Sequence, residues 1–254
     1  MQSGIYAALS GAKLQELRLE VTANNLANAS TAGYKADRVA SRSFEFDFET
    51  ALNAPRQPHA GQAPDVVESY PGIYAKTTVV DTSFEPGTPS FTGNDLHVAV
   101  EGPGFIGIDT LQGPGYTRHG QFAIDSDGRL VTVDGNPVRG KGLTNLGDGQ
   151  ISIDPEGEVS VDGQPVGFIE LVEFENPDVL RKQGDSVFAL IDTGMEPAKP
   201  ENSRLMQGYI EQPNISVVTE MVNLIELNRL YQTYQKAISS MDDSTGTLIR
   251  QIAA

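Results

Sequence analysis

The 254-residue chain contains no cysteine. That excludes a disulfide framework, a thiol nucleophile and zinc sites built on thiolates. Tryptophan is absent too. Basic residues are scarce: 18 Lys and Arg stand against 34 Asp and Glu, a net charge of −16. Binding to a phosphate backbone needs a basic patch, so this balance argues against nucleic acid as a partner. Long hydrophobic runs are missing as well. Nothing approaches the roughly 18 consecutive apolar residues of a membrane helix, so direct membrane insertion is not expected. The opening MQSGIYAALSGAKLQELRLE has no basic start, and its apolar run IYAAL soon breaks into polar residues. It therefore reads as lacking a cleaved signal.

The length allows two domains, since roughly 100–200 residues suffice for each. The 26 glycines and 15 prolines imply many turns. Charge is unevenly spread. Residues 1–40 carry four basic and three acidic groups, and residues 214–254 carry three and four. The stretch 41–213 therefore holds the whole −16. Near-neutral ends can pack closely, while the acidic middle suits a solvated outer surface.

The ends share one rhythm. In 3–28, Ile5, Leu9, Ala12, Leu19, Ala23 and Leu26 recur at alternating steps of four and three, with Glu16 in the missing place. That heptad pattern predicts a helix of about 39 Å. Val217, Met221, Leu224, Asn228 and Tyr231 repeat it near the other end. It resumes at Tyr234, Ile238, Met241, Thr245, Leu248 and Ile252. Ser216 is the candidate N-cap of this second helix, of about 55 Å.

Between the ends the period changes to two. Short runs such as HVAVEG, FIGID, RLVTV, ISID, EVSV and VFALI alternate with turns, which predicts an all-β region. DSDGRLVTVDGNPV (125–138) and DPEGEVSVDGQPV (154–166) echo each other and read as two similar hairpins. The expected fold class is mixed and discontinuous: N- and C-terminal α-helices paired as a coiled coil, with a central all-β domain. The expected divisions are a helical domain of 1–30 plus 214–254, a linker or extended arm over 31–76, and a β-rich outer domain over 77–213. Within the arm, 53–72 is poor in apolar residues and holds four prolines.

Chemical motifs are weak. GPGFIG, 102–107, matches the dinucleotide pattern G-x-G-x-x-G, but that motif requires a helix starting at its glycines. Here Ile-x-Ile-Asp continues as strand. DSDG, 125–128, resembles part of a calcium loop, yet position twelve is Asn136 where a glutamate is needed. His59, His97 and His119 stand alone, and no G-x-S-x-G is present. No catalytic residue, cofactor site or metal site is expected, and the chain does not read as an enzyme. Two rivals frame that reading: a nucleotide-binding enzyme using GPGFIG, and a β-rich binding module that dimerises through its helices.

The terminal stripes are the strongest signal. Val218, Val222, Ile225, Leu227 and Leu230 widen the C-terminal stripe beyond what a two-helix seam buries. Other copies of the chain are expected to cover it. The asparagines in ANNLANASTAGYK, 23–35, fit the same idea. An amide in an apolar seam fixes register, because its donors and acceptors must find partners. Asn24 and Asn28 lie one turn apart, and Asn228 occupies a seam position in the other helix. Asn28 can equally end its helix as a C-cap, with Gly33 closing the following turn.

These same segments carry a family resemblance. GIYAALSGA followed by ANNLAN-x-x-T-x-G-Y-K resembles the start of bacterial flagellar rod and hook proteins. EGPGFIGID and GYTRHGQFAIDSDGRLVTVDGNPV are similar to that family's centre. GYIEQPNISVVTEMVNLIELNRLYQTYQKAI is similar to its closing helix. The resemblance implies a structural subunit of the basal-body rod, an axial tube that spans the periplasm, transmits torque and encloses the export channel. In that family paired terminal helices line the tube and a β domain lies outside. The implied partners are other rod proteins, copies of the same chain and the flagellar type III export apparatus, with export in an unfolded state. The length favours a rod protein over the longer hook protein, and two departures favour the proximal branch over the distal one. GFIGI stands where Gly-Phe-Phe is usual, and NRLYQTYQKAISSMDD replaces a Gln-Arg-x-Tyr-Glu-Ala-Asn series. The expected subunit interface comprises Ile5, Leu9, Ala12, Leu19, Ala23, Asn24, Leu26 and Asn28 in the first helix. In the second it comprises Val217, Met221, Leu224, Ile225, Asn228, Tyr231, Ile238, Met241, Leu248 and Ile252.

Overall fold

A computed structural model describes residues 2–41, 78–147, 149–184, 186–191 and 197–252, with side chains described over less of the two helices and of the first two strands. The expected 53–72 arm lies outside these residues. The first helix, α1, is Gln2–Ala27. It ends where Asn28 turns back on it: the Asn28 N–H donates to Asn24 O (3.1 Å) and Asn25 O (3.2 Å), and its side-chain amide donates to Asn24 O at 2.9 Å. The second helix, α2, is Val217–Ile252, 36 residues or about 54 Å. Ser216 caps it as expected. Its Oγ accepts from Thr219 Oγ1 at 3.0 Å, and its carbonyl receives the Glu220 N–H at 3.0 Å. Glu220 also places negative charge at the positive end of the helix dipole.

Among the described residues, seventeen strands lie between the helices. Strands β1 (Asp37–Ser41) and β2 (Thr78–Thr82) pair with each other. A five-stranded sheet has the order β13-β5-β6-β15-β14: Leu171–Val172, Phe105–Thr110, Gly113–Thr117, Val187–Leu190 and Leu180–Gly184. A four-stranded sheet has the order β10-β11-β12-β9: Ile151–Ile153, Glu158–Val161, Gln164–Ile169 and Gly140–Lys141. Three ribbons complete the set: β16 (Arg204–Gln207) with β4 (Val98–Glu101), β17 (Tyr209–Glu211) with β3 (Pro89–Phe91), and β7 (Phe122–Ile124) with β8 (Leu130–Thr132).

The helices and the β region sort into two compact units. One is Met1–Val21, Val39–Val80 and Asn223–Ala254; the other is Thr22–Arg38 and Asp81–Val222. In the first, the two helices meet at Gly11, where a Cβ would stand 2.6 Å from Tyr234 Cε1. A methyl group there would require the Tyr234 ring to move aside. Among the described side chains of α1 in this unit, Ala8, Ala12 and Gln15 are buried.

In the second unit, strand β5 separates two cores. Successive side chains of a strand point to opposite faces. Phe105 accordingly joins Tyr116, Val172, Leu180 and Phe188, while Ile106 joins Val98, Val100, Leu130, Val159 and Ile169. Phe84 and Phe174 pack edge-on into the first group, 5.7 Å and 5.8 Å from the Phe105 centroid. Full burial of each such side chain contributes about 1.5–3 kcal/mol. The sequence echo becomes two alike turns. Asp125 Oδ1 accepts from the N–H groups of Asp127 and Arg129, and Asp154 Oδ1 from those of Glu156 and Glu158.

Candidate assembly surface and the clasp behind it

Within the expected 31–76 arm, Ala32, Tyr34, Lys35 and Ala36 are buried and Asp37 begins a strand. They are held there by the asparagines of α1. Asn25, 4% exposed, closes on the backbone of Asp37. Its Oδ1 accepts the Asp37 N–H at 3.0 Å and its Nδ2 donates to the Asp37 carbonyl at 2.8 Å. One amide thus does what a neighbouring strand would do. The Tyr34 hydroxyl stands 2.7 Å from Asn24 Oδ1 and 3.1 Å from Asn25 Oδ1. Asn28 Oδ1 accepts from Thr31 Oγ1 at 3.3 Å. Gly33 takes φ +65°, and a Cβ there would lie 2.2 Å from Arg118 O, so both conformation and space demand glycine. Asn24 and Asn28 therefore have partners within their own chain, and Asn28 is a helix C-cap.

A second layer lies behind the turn. Lys182 Nζ sits 3.8 Å over the Tyr34 ring and donates to Lys35 O (2.8 Å) and Asp37 Oδ2 (3.0 Å). Lys35 is 1% exposed and its Nζ meets Glu211 Oε1 at 2.7 Å. Arg118, also 1% exposed, reaches Glu211 Oε2 at 3.4 Å and Gly102 O at 2.7 Å. The Gly87 N–H donates to Glu211 Oε1 at 2.6 Å, and the Gly33 N–H to the Glu211 carbonyl at 2.8 Å. Burial is costly for charges unless they are paired and hydrogen-bonded, and here both conditions hold. Burial lowers the Lys35 and Arg118 pKa values, with the Glu211 charge acting against it. Burial first, then the Asp37 charge, pushes the Tyr34 hydroxyl well above its ordinary range.

The expected interface residues fall on three kinds of ground. Ala12 is buried. Leu19, Leu26, Asn28, Leu224, Tyr231 and Ile238 are half-buried. Leu9, Ala23, Asn24, Val217, Met221, Ile225, Asn228 and Met241 are exposed. The side chains of Ile5, Leu248 and Ile252 lie outside the described residues. The C-terminal helix thus carries a long apolar row in the single chain: Val218 is 72% exposed, and Met221, Val222 and Ile225 are each half exposed. Asn228 accepts from Gln232 within the same helix at 2.8 Å.

The chemical motifs resolve structurally. GPGFIG leads into β5 and not into a helix, so the phosphate-binding geometry of the dinucleotide motif is not formed. Asp125 is engaged by its own turn and by Arg129, whose bonds hold its carboxyl below the usual range. His97 bonds Thr92 and His119 bonds Gln121. Among the described residues, no group of three His, Asp or Glu is placed to hold a metal ion. No described helix is long and apolar enough to cross a membrane.

Lys35, Arg118 and Glu211 come one each from the three segments that carry the family resemblance. The family described as "Flagella basal body rod protein" matches residues 5–35. "Flagellar hook protein FlgE/F/G D1 domain" matches 99–161, and "Flagellar basal body rod FlgEFG protein C-terminal" matches 206–251. A flagellar basal-body rod protein FlgF from Caulobacter vibrioides is 30% identical over 98% of this chain and 96% of its own. The chain belongs to the flagellar basal-body rod protein family. FlgG of the same organism is 32% identical over 92% of this chain and 94% of its own, and FlgG of Bacillus subtilis 28% over 98% of each. Rod-family relatives of both names thus stand at similar identity. The chain is a rod subunit with a structural role, not an enzyme.

What sequence reasoning missed in this rod protein is the clasp. Asn25, Tyr34, Lys35, Arg118 and Glu211 were visible only as parts of motifs. The available signal was charge out of place: Lys35, Arg118 and Glu211 each directly follow an aromatic-containing, apolar or small-residue stretch, in AGYK, GYTR and GYIE.

Proposed function

We propose that this chain is one subunit of the axial tube of the bacterial flagellar basal body, in the periplasm-spanning rod. The helical ends, 1–30 and 214–254, pair as a coiled coil and interlock with those of neighbouring copies and of other rod proteins. The β domain, 77–213, lies outside and adds lateral contacts. Torque then passes through many small packed contacts. The flagellar type III export apparatus is the route by which the subunit arrives, its ends gaining much of their order from neighbours. The observation that carries this reading is the exposed apolar row Val218, Met221, Val222 and Ile225 on a helix about 54 Å long. Apolar area of that extent needs a cover, and neighbouring copies in a tube would supply it.

The proximal position rests on the GFIGI segment and on NRLYQTYQKAISSMDD. The distal position is the second reading, favoured by the 32% identity to the Caulobacter vibrioides FlgG. Imaging basal bodies from cells that carry Ile225→Asp tests the assembly reading. Rods of normal length and number in those cells refute it. Tagging the chain and locating the label along the rod separates the two positions.

A further inference from the structure

The second compact unit is closed by one short stretch, 204–214. Leu205 is 2% exposed in the larger core, and its N–H donates to Pro155 O at 2.9 Å. The Gln207 side chain binds three backbone groups: it accepts from Ile153 N–H (3.1 Å) and donates to Asp95 O and Ile151 O (both 2.8 Å). The Gly208 N–H donates to His97 O at 2.7 Å. Glu211 gathers Lys35, Arg118 and the Gly87 N–H. Asn214 Oδ1 accepts the Ala36 N–H at 2.8 Å while its Nδ2 donates to Ser83 O at 2.8 Å and Glu85 O at 3.1 Å. Eleven residues thus touch the helix-end turn, the 83–92 loop and strand, the β4 ribbon and the β10 hairpin.

We propose that residues 204–214 are a closing strap, and that Glu211 is its lock: the N-terminal turn cannot settle into the β unit until the strap arrives. Among the described residues, Glu211 is the one carboxylate in an ion pair with either Lys35 or Arg118. Without it, two cations that are each 1% exposed have no counter-charge, and the buried arrangement is strongly disfavoured. The separation in sequence makes this a matter of order. Glu211 lies 176 residues after Lys35 and 93 after Arg118. A chain that emerges N-terminus first presents both cations long before their partner. They stay solvated, the turn at 28–36 stays open, and the unit completes only once residues 204–214 are available. The strap is therefore a completeness check built into the fold, and it operates within one chain whether or not the chain assembles.

The test is refolding of the full-length chain from urea with pulsed hydrogen exchange. Local hairpins close before long-range contacts. The amides of β5–β6 and β11–β12 are expected to gain protection first, and those of Gly33, Ala36, Gly87 and Gly208 together in the last phase. Protection at Gly33 and Ala36 that precedes protection at Gly208 overturns the proposal. At equilibrium, Glu211→Gln is expected to cut protection at Gly33, Ala36 and Gly87 by about a hundredfold. Asn214→Ala, which removes only neutral bonds, serves where that variant fails to fold. It is expected to lower protection at Ala36 and leave the β5–β6 amides unchanged. An E211Q chain with full protection at Gly33, or an N214A chain that loosens β5–β6 as much as Ala36, overturns the proposal.

Discussion

Replacing Asn25 with alanine is the sharpest test of the clasp. The substitution deletes an acceptor used by the Asp37 N–H and by the Tyr34 hydroxyl, and a donor to the Asp37 carbonyl. Tyr34 keeps Asn24 Oδ1 at 2.7 Å, so its loss is partial. The two bonds to Asp37 contribute about 1 kcal/mol each, and stranding both backbone groups beside α1 adds roughly another. The expected loss is about 3 kcal/mol. The assay is urea unfolding followed by far-ultraviolet circular dichroism and tyrosine fluorescence, which no tryptophan obscures. Asn25→Asp is the informative companion. It preserves the acceptor and both bonds to it but loses the donor and sets a second carboxylate beside Asp37, with a cost of about 1–2 kcal/mol. Tyr34→Phe alone should cost about 1 kcal/mol, and combined with Asn25→Ala it should fall short of additivity by roughly 0.5 kcal/mol or more. An Asn25→Ala chain within about 0.5 kcal/mol of its parent refutes the reasoning, because the amide would then be a bystander on a solvated surface.

Other expectations follow from the same structure. Ile225→Asp and Leu26→Asp should abolish rod assembly seen by electron microscopy, and Ile225→Asp, at a half-exposed position, should cost the isolated chain little. Gly33→Ala should destabilise the β unit by more than about 1 kcal/mol in urea unfolding, since the new methyl group meets Arg118 O in a left-handed turn. On the alkaline side, burial holds Tyr34 above its ordinary value of 10.0, and raises Tyr116 too. The folded chain then binds more protons than the unfolded one, so stability falls as pH rises above 10.0. Lys35 and Lys182 act oppositely. Burial lowers both below 10.5, so their contribution grows as pH rises toward that value. Ultraviolet titration should show a tyrosine that ionises above the ordinary range, and Tyr34→Phe should remove that late step.

The helices were legible because periodicity is a local property. α2 starts at Val217, next to the Ser216 cap that its sequence announces. The strands with branched, alternating residues were legible for the same reason. β6 (GPGYT) and β14 (LRKQG) were not, because neither alternates, and their pairing with β5 and β15 supplies what their composition lacks. The face of α1 was legible only in part. The expected stripe includes the buried Ala12, but Leu9 and Ala23 are exposed, while Ala8, Gln15, Thr22 and Asn25 are buried. Small residues allow the approach at Gly11 and Tyr234 that larger ones forbid, so the close contact within the chain leaves Leu9 outward. The buried cluster was illegible for another reason. A lysine and a glutamate 176 positions apart carry no mutual signature, and only the folded path of the chain joins them.

The apolar row on α2 makes a free copy a sticky object with a long-range shield. Each molecule carries −16, so two of them repel before their greasy edges can touch. The range of that repulsion is set by dissolved ions, about 10 Å at 0.1 M and near 3 Å at 1 M. Brine should therefore hasten self-adhesion of the purified protein and fresh water delay it, a colloidal throttle that acts with no change in any fold contact.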